Sequence, residues 1–541
     1  MMSVRLILLP VMIAVLLLFP GLGVTGEPSA FLSRDAAASF VEPPYALGEM
    51  IGDGAWELVN LDGRVAGYGF ESEPLAPLPG FSGAPIDLFV MITVEGRFID
   101  VKLVRHNEPI FVSGLGEAPL RNFLTQYKGR SITEALVVGV PYGGKDAGSS
   151  LVYLDGVTKA TASVRIAHES ILAAAQAIAR QKMAGLSAAA SSRPNPDIQE
   201  TLTWADLVAK GLVTRKTVSN GEMQAQFKGT KFFDDDPEAA DNPDAAYLDL
   251  WIVDLGPPSL AEAVLKKDTL AALQRFLAIN PQSEPVLVLE TARHGLITED
   301  FVRNTSPDLL SAKQGGLPVA LRDADLTIEL KEDVPKGTSL ILRTDRRLGF
   351  NPAAEWDFTV RALRKHGSFQ PEIGATDLSV TVKTDTRFFI TDVQARPDPV
   401  WLQAIKQRPA DLTVLGFLLA GLFLVNGPLM HRFAAMTHYR AIRLFILASV
   451  IGFVGWWGQG QLSIVTPLGV VRGLAAGTDL NFLLYDAFSL FIWVSVLVSF
   501  VIWGRGLFCG WLCPFGAMQE FADLIGRSLR LPQVEVPKTL D

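Results

Sequence analysis

The segment Ile86–Val112, IDLFVMITVEGRFIDVKLVRHNEPIFV, alternates apolar and polar residues over most of its length. Successive side chains of a β-strand point to opposite faces of its sheet, so this alternation predicts two strands that meet at Glu95-Gly96. Another predicted strand, SLVYLDGV, follows a glycine-rich turn at residues 143–148. Apolar residues then recur at helical spacing over Ser163–Met183. These patterns predict an α+β domain over residues 27–186.

A polar, proline-containing stretch, Ser187–Asp197, is predicted to link this domain to a second unit over residues 200–395. The first half of that unit mixes helical and strand patterns, which indicates an α/β fold. Its second half is rich in strand segments such as TSLILRT and LSVTVKT, which indicates a β-sandwich-like part. The acidic run Asp234–Asp244 is interpreted as a solvated loop, with a calcium site as the alternative.

Residues 1–26 have the layout of an export signal, so the two units that follow are predicted to lie outside the cytoplasm. Arg5 precedes a long apolar stretch, and small residues follow over Gly21–Gly26. Cleavage is favoured over a retained anchor because Pro10 and Pro20 would disturb a spanning helix. Both cysteines of the chain lie near its C-terminus, which excludes a disulfide scaffold for these units.

Residues 411–504 are predicted to form three transmembrane helices, because each apolar segment approaches the roughly 20 residues that cross a bilayer. The segments are Leu412–Leu429, Leu444–Trp457 with its flanks, and Phe482–Trp503. The connection between the first two carries three arginines and no acid: Arg432, Arg440 and Arg443. The positive-inside rule places that connection in the cytoplasm. The third helix then emerges there, so residues 505–541 are predicted to lie at the cytoplasmic face of the inner membrane and the N-terminal units in the periplasm.

The charge balance argues against a nucleic-acid-binding protein. The chain carries 57 acidic and 48 basic residues, a net charge of −9, and it has no basic run that would grip phosphates. A direct role in DNA binding is therefore not expected.

The segment Leu154–Thr161, LDGVTKAT, has a pattern that suits an anion site. Thr161 lies just before the predicted helix, where free N–H groups and the helix dipole favour a phosphate. The alternative is a threonine that only caps the helix.

The same segment resembles the flavinylation motif of covalent FMN domains, and the departure is Lys159, where the motif usually has glycine. The resemblance implies FMN joined through its phosphate to Thr161 by a flavin transferase. The matching residues are Asp155, Gly156, Thr158, Ala160 and Thr161.

Two upstream features are further candidates for flavin contacts. His106 and Glu108 belong to the sequence RHNEP, and Ser82 and Gly83 belong to a glycine-rich turn. A surface or core histidine and a turn without a ligand are the simpler alternatives. The surrounding segment also resembles the domain that carries the flavinylation motif.

The second chemical motif, GRGLFCGWLCPFGAMQE, contains Cys509 and Cys513. Residues spaced i, i+4 share a face of a helix, so both thiols could reach one metal centre. Inert buried cysteines are the alternative. Two cysteines cannot complete a four-cysteine cluster, so further ligands would have to come from elsewhere.

This motif resembles the first of two CxxxCP motifs in the NosR/NirI family. The segments GFVGWWGQGQLSIV, TWADLVAKGLV and AYLDLWIVDLGPPSLAEAVL are also similar to that family. In the family a second CxxxCP motif and a ferredoxin-like domain with [4Fe-4S] clusters follow. The chain is therefore expected to be a fragment of a longer protein, with an incomplete cluster set of its own.

The resemblance implies a membrane-bound electron-transfer protein that supports periplasmic nitrous oxide reductase or its maturation factors. One alternative is a NirI-like role beside nitrite reductase, and another is a redox-sensing regulator of denitrification genes. Another group of residues is predicted to lie at the membrane surface: Trp456, Trp457, Gln459 and Gln461. The simpler interpretation is that they are interfacial residues, and the more specific alternative is a contact with a quinol or a flavin.

Overall fold

The computed structural model describes most of the chain. It covers residues 31–52, 54–81, 83–112, 114–139, 148–182, 192–367, 371–391, 402, 405–406, 408–458, 460, 470–471, 483, 486–503 and 508–529. The chain divides into two compact units, with Ser29–Phe81 and Pro85–Pro397 in the larger one and Asp398–Asp541 in the other. The larger unit contains two domains, described in turn.

The first domain is built on a five-stranded antiparallel sheet in which neighbours in sequence are neighbours in space. Its strands are β1 (Ala46–Gly52), β2 (Ala55–Val59), β3 (Val65–Glu71), β4 (Asp87–Thr93) and β5 (Phe98–Arg105). The predicted turn between β4 and β5 is confirmed, and Gly96 has φ 78° there, a left-handed conformation that glycine adopts without strain. Hairpin turns therefore lie at one end of strands β2–β5. The β3–β4 loop and residues 106–108 lie at the other end.

A long helix, α5 (Thr161–Lys182), covers one face of this sheet. The shorter helices of the domain are α1 (Arg34–Ala38), α2 (Ser72–Leu75), α3 (Pro109–Val112) and α4 (Ala118–Leu124). Leu88, Val90 and Ile92 of β4 pack in the core with α5, whereas Phe89 and Met91 pack on the opposite face. This is the period-2 alternation expected of a sheet covered on both sides.

The residues that α5 buries explain why it docks there. Val164, Ile171 and Ile178 recur at helical spacing and are at most 1% exposed. Full burial of each such side chain contributes on the order of 2 kcal/mol. A short parallel pair, β6 (Leu136–Val138) with β7 (Val152–Leu154), packs beside the helix and leads directly into residue 155.

The second domain has three layers. A five-stranded antiparallel sheet forms the middle layer in the order β14-β15-β11-β10-β9, and a four-stranded sheet packs on it in the order β13-β12-β16-β17. The strands of the middle layer are β9 (Thr214–Ser219), β10 (Ala246–Asp254), β11 (Ser283–Glu290), β14 (Arg322–Asp323) and β15 (Thr338–Asp345). Those of the second sheet are β12 (Leu310–Gln314), β13 (Leu317–Val319), β16 (Trp356–His366) and β17 (Glu372–Val382).

Helices form the third layer of this domain. The helices of the domain are α6 (Trp204–Ala209), α7 (Asn220–Gln226), α8 (Pro237–Asp241), α9 (Pro258–Val264) and α10 (Lys267–Ile279). Of these, α6, α9 and α10 form the third layer, whereas Met223 of α7 packs in the core between the two sheets and α8 packs against α7. Val286 and Val288 of β11 face the second sheet, whereas Leu287 and Leu289 face a core that includes α9 and α10. The prediction of helices and strands followed by a sandwich-like part matches these layers, although the pairing of the middle sheet is antiparallel throughout the described strands.

Part of the predicted linker belongs to a sheet instead. Within the predicted linker Ser187–Asp197, β8 (Ser192–Pro194) pairs antiparallel with β18 (Phe389–Thr391). The linker prediction is therefore wrong for Ser192–Pro194. The acidic run is also more ordered than a solvated loop, because Asp236 caps α8 and accepts hydrogen bonds from Arg293 and Arg364.

Hydrogen bonds join the two domains. Asp308 of the second domain is 5% exposed, and its carboxylate accepts hydrogen bonds from Ser149 and Tyr153. Arg361 also donates to the carbonyl oxygen of Ser149 at 2.7 Å. Because Tyr153 lies in β7, the second domain holds the strand that precedes the LDGVTKAT segment.

The C-terminal unit is helical and strongly apolar. It contains α11 (Pro409–Asn426), α12 (Met430–Ala434), α13 (Tyr439–Ser449), α14 (Ala487–Trp503) and α15 (Pro514–Ser528). A π-helical stretch, Val450–Trp457, extends α13, and another π-helical turn covers Phe508–Leu512. Two helices, Pro409–Asn426 and Tyr439–Trp457, are long and apolar enough to cross a membrane. The described part of the third predicted span is a shorter apolar helix.

Candidate functional site

The LDGVTKAT segment forms a largely exposed turn that is anchored near its start, at Asp155. The backbone N–H of Asp155 donates to Oε1 of Gln126 at 2.7 Å, and Nε2 of Gln126 donates to the Asp155 carbonyl oxygen at 2.9 Å. Asp155, Gly156 and Thr158 are all exposed. Gln126 thus fixes where the turn begins, a role that no local sequence pattern indicates.

Lys159 has φ 69°, in the left-handed region. Side chains with a Cβ are disfavoured there by roughly 1–2 kcal/mol, whereas glycine is not. The position therefore has a physical reason to be glycine in a motif of this kind. The lysine adopts the same turn at a conformational cost.

Helix α5 begins directly after this turn without a side-chain cap. The N–H of Val164 donates to the carbonyl oxygen of Ala160 at 3.0 Å, and Ala160 is 3% exposed. Among the described residues, no group accepts a hydrogen bond from the backbone N–H of Thr161, Ala162 or Ser163. Free N–H groups and the positive end of the dipole favour an anion at this point.

Thr161 and Ser163 differ in accessibility although both lie in the first turn of α5. The side chain of Thr161 is exposed, whereas Ser163 is 4% exposed and its hydroxyl donates to Oε2 of Glu108. Only the Thr161 hydroxyl is therefore open to a modifying enzyme within that turn. The free N–H groups and the exposed hydroxyl fit a phosphoester at Thr161.

Glu108 connects the helix to the β3–β4 loop. It is 0% exposed, and its Oε1 accepts a hydrogen bond from the backbone N–H of Phe81 at 2.8 Å. With Ser163 on its other oxygen, the carboxylate bridges two segments that are far apart in sequence. Gly83 follows with φ 88°, and Ser82 lies outside the described residues.

His106 lies in the same loop as Glu108. Its Nδ1 accepts from the N–H of Glu108 at 3.2 Å, so Nε2 carries the proton and faces Oε1 of Glu117 at 3.6 Å. The pKa of Glu117 is lowered, first by a hydrogen bond from Arg121 and then by His106, against the opposing effect of burial. The His106 side chain is 3% exposed, which makes it part of the loop's internal packing.

A second histidine lies behind the first turns of α5. Nε2 of His168 is 3.1 Å from the Leu136 carbonyl oxygen, so that nitrogen donates, and the Tyr127 hydroxyl donates to Nδ1 at 2.6 Å. Burial lowers the pKa of His168 to about 4. This neutral pair supports the helix from inside and does not reach the exposed turn.

Cys509 lies in a π-helical turn of the C-terminal unit, and Cys513 directly follows that turn with an extended backbone. The N–H of Cys513 donates to the Phe508 carbonyl oxygen at 2.7 Å, which closes the π-helical turn that contains Cys509. Cys513 also caps α15, because its Sγ accepts from the N–H of Gly516 at 3.3 Å. Among the described residues, no group of three or more His, Cys, Asp or Glu side chains could hold a metal ion.

Helix α15 is fixed to the preceding helices near these cysteines. Arg443 of α13 donates to Glu520 of α15 at 2.6 Å and lies 5.5 Å above the ring of Trp511. Pro514 packs on Gly455, where an added Cβ would lie only 2.9 Å from the proline ring. Arg443 therefore has a specific partner besides its contribution to a basic connection.

The tryptophans proposed as a membrane-interface feature are exposed, Trp456 at 86% and Trp457 at 64%. The indole N–H of Trp457 donates to Asp411 at 3.1 Å, at the start of α11. Gln459 and Gln461 lie outside the described residues. These contacts fit an interfacial position, and a quinol contact stays a prediction.

Comparisons with known proteins bear on both parts of the chain. Residues 485–532, which include both cysteines, match the family described as a 4Fe-4S binding domain. Regulatory protein NosR of Stutzerimonas stutzeri is 27% identical over 512 residues, which is 92% of this chain and 70% of that protein. Regulatory protein NosR of Pseudomonas aeruginosa is 27% identical over 96% of this chain and 74% of its own length. Protein NirI of Paracoccus denitrificans is 27% identical over 89% of this chain and 68% of its own length.

These matches, with the apolar helices, define a membrane redox protein with an iron–sulfur binding segment. Over 89–96% of its length the chain is similar to proteins named NosR and NirI. A four-cysteine cluster still needs ligands beyond the chain's two cysteines, Cys509 and Cys513.

Proposed function

We propose that this protein transfers electrons between an FMN esterified to Thr161, in a periplasmic domain, and iron–sulfur chemistry at the cytoplasmic ends of its membrane helices. The observation that carries the flavin is the uncapped start of α5, where an exposed Thr161 hydroxyl lies beside free N–H groups. Bound there, FMN would exchange one or two electrons at a time. A covalent link would prevent its loss from an exported domain.

The chain's own residues would serve this role by holding the phosphate and the turn. Thr161 would provide the ester oxygen, and the N–H groups of the first turn of α5 would donate to the phosphate oxygens. Gln126 fixes the start of the turn through the backbone of Asp155. Cys509 and Cys513 would supply two thiolate ligands to a cluster whose other ligands come from outside this chain's cysteines.

The physiological role that this proposal favours is support of nitrous oxide reductase or its maturation. The similarity to two NosR proteins supports it, and the similarity to NirI supports the corresponding role beside nitrite reductase. A redox-sensing regulator is the second candidate, because the relatives are named regulatory proteins. Transcript levels of the reductase genes in a Thr161→Val strain distinguish regulation from electron supply, since only regulation predicts a change in transcripts.

The flavin proposal is tested by expressing the chain with a periplasmic flavin transferase, which would move the FMN group of a flavin dinucleotide to the Thr161 hydroxyl and release the nucleoside monophosphate. A phosphoester survives denaturation, so the parent should keep yellow fluorescence on a denaturing gel and gain the mass of FMN less water. Thr161→Val removes the hydroxyl at nearly constant shape and should abolish both signals. Thr158→Val is the matched control, and it should weaken labelling less because Thr158 only shapes the turn.

A persistent band in Thr161→Val would move the ester to another hydroxyl. An unlabelled parent would leave Thr161 as an ordinary first-turn residue and would remove the flavin from the proposal.

A further inference from the structure

Phe81 is an unusual residue for its position. It is 71% exposed, although it lies in the β3–β4 loop of a domain whose other phenylalanines are largely in the core. An exposed aromatic ring loses the favourable burial that its size would allow. The ring is therefore available to a flat apolar partner.

The backbone of Phe81 is held in place by a buried charge. Its N–H donates to Oε1 of Glu108 at 2.8 Å, and Glu108 is 0% exposed. The other oxygen of Glu108 accepts the hydroxyl of Ser163. The Glu108 carboxylate therefore links the backbone of Phe81 to Ser163 in the first turn of α5. Thr161 lies two residues before Ser163 in that turn.

We propose that Phe81 is the aromatic platform on which the isoalloxazine ring of the flavin packs, and that Glu108 is the positioning residue that holds it beside the attachment turn. This inference rests on the proposed ester at Thr161. A phosphate at Thr161 would carry the ring on a flexible ribityl chain, and Phe81 is the exposed aromatic side chain that Glu108 ties to that turn. Holding the platform in advance lowers the entropic cost of docking the ring.

The sheet topology supplies the matched control. Leu61 is 86% exposed and lies in the β2–β3 turn. In this antiparallel sheet that turn is at the end opposite the β3–β4 loop. Leu61 therefore shares the exposure of Phe81 but not its connection to the start of α5.

The experiment uses the full chain, labelled by the transferase and purified in detergent, with every signal normalised to the flavin that remains after denaturation. Tryptophan quenches flavin fluorescence only on contact, so Phe81→Trp should darken the flavin whereas Leu61→Trp should not. In Phe81→Ala the ratio of docked to undocked ring should fall about fivefold, the loss expected for one aromatic contact. That loss is measured as lower fluorescence anisotropy and stronger quenching by iodide.

Ser163→Ala tests the positioning role of Glu108. It removes one of the hydrogen bonds that hold the carboxylate and should lower anisotropy in the same direction, but less than Phe81→Ala. Phe81→Tyr keeps the ring and should retain the anisotropy of the parent.

Two failures are distinguishable. An unlabelled parent would overturn the ester at Thr161 and with it the platform. The second failure has a labelled parent, equally bright Phe81→Trp and Leu61→Trp chains, and an unchanged anisotropy in Phe81→Ala. That result would overturn the platform at Phe81 but not the ester at Thr161.

Discussion

Lys159 holds a left-handed backbone conformation at the position where flavinylation motifs usually have glycine. Lys159→Gly should therefore stabilise the folded chain by about 1 kcal/mol, because glycine adopts φ 69° without steric cost. The measurement is the thermal unfolding midpoint of the unlabelled chain. Flavin labelling of the variant should be preserved or improved, since the turn keeps its shape.

Lys159→Ala is the control, because it removes the charge but keeps the Cβ. It should leave the midpoint close to that of the parent. Equal stabilisation by alanine and glycine would attribute the effect to the lost charge and not to backbone conformation.

His168 makes the first domain sensitive to acid. Its pKa is lowered from 6.5 to about 4 by burial, so the folded state resists protonation that the unfolded chain accepts. Stability is therefore full above about pH 6.5 and falls as the pH drops toward the folded value. Near pH 5 the loss should be on the order of 2 kcal/mol, measured as the difference in unfolding between the parent and His168→Gln.

Some buried carboxyl groups elsewhere in the chain act with the opposite sign. Burial raises the pKa of Asp254 to about 6, and it raises the pKa of Glu284 and Glu169. These groups favour the folded state more as the pH falls, so only the difference between parent and His168→Gln isolates the histidine. A difference that stays constant from neutral to acid pH would contradict a buried neutral His168.

At the scale of elements, α15 depends on a charge pair for its docking. Arg443→Ala should expose Cys513 to maleimide about fivefold faster in a Cys509→Ser background, because a partly buried ion pair contributes about 1 kcal/mol. The measurement is the labelling rate of the folded chain in detergent. The double variant Arg443→Glu/Glu520→Arg should restore part of the protection of Cys513 against maleimide. It keeps an ion pair between the two positions but loses the contact of Arg443 with Trp511.

Arg440→Ala is the matched control. Arg440 lies in the same helix and is exposed, and no ion pair involves it among the described residues. If Arg440→Ala and Arg443→Ala accelerate maleimide labelling of Cys513 to a similar extent, the effect comes from the general positive charge of this region and not from the ion pair with Glu520.

Periodicity predicted the elements that are long or regular. The turn between β4 and β5 and the helix α5 follow from local patterns, and the structure places α5 at Thr161–Lys182, within two residues of the predicted range. The β8–β18 pair could not be predicted in this way. Each strand has three residues, and the pairing joins Pro194 to Phe389 across the whole second domain.

The candidate site was predicted only in part for a similar reason. The residue types of LDGVTKAT indicate an anion site, but the support of that turn comes from Gln126 and Glu108, which are distant in sequence. Nor does the sequence reveal that Ser163 is buried while Thr161 is exposed. The left-handed Lys159 was indicated only by comparison with a motif that has glycine there.

At the scale of the whole molecule, the proposed electron path requires opposite compartments for the flavin and the cysteines. The basic residues before α13 and in its first turns predict that a reporter active only in the periplasm should work when fused after Ala395 and should be silent after Gly526. The measurement is reporter activity in intact cells, with a cytoplasmic reporter at the same positions as the reciprocal control. The reversed pattern would place Cys509 and Cys513 in the wrong compartment for this path.

The pairing of β8 with β18 also has an evolutionary consequence. The polypeptide enters the second domain at Ser192–Pro194 and leaves it at Phe389–Thr391, and paired strands are only about 4.8 Å apart. A domain whose two ends adjoin can be gained, lost or exchanged within a host chain with little disturbance to the parts on either side. Residues 195–388 thus have the end-to-end geometry of an inserted cassette, and lineages that vary this cassette would have to keep its hydrogen bonds to Ser149 and Tyr153.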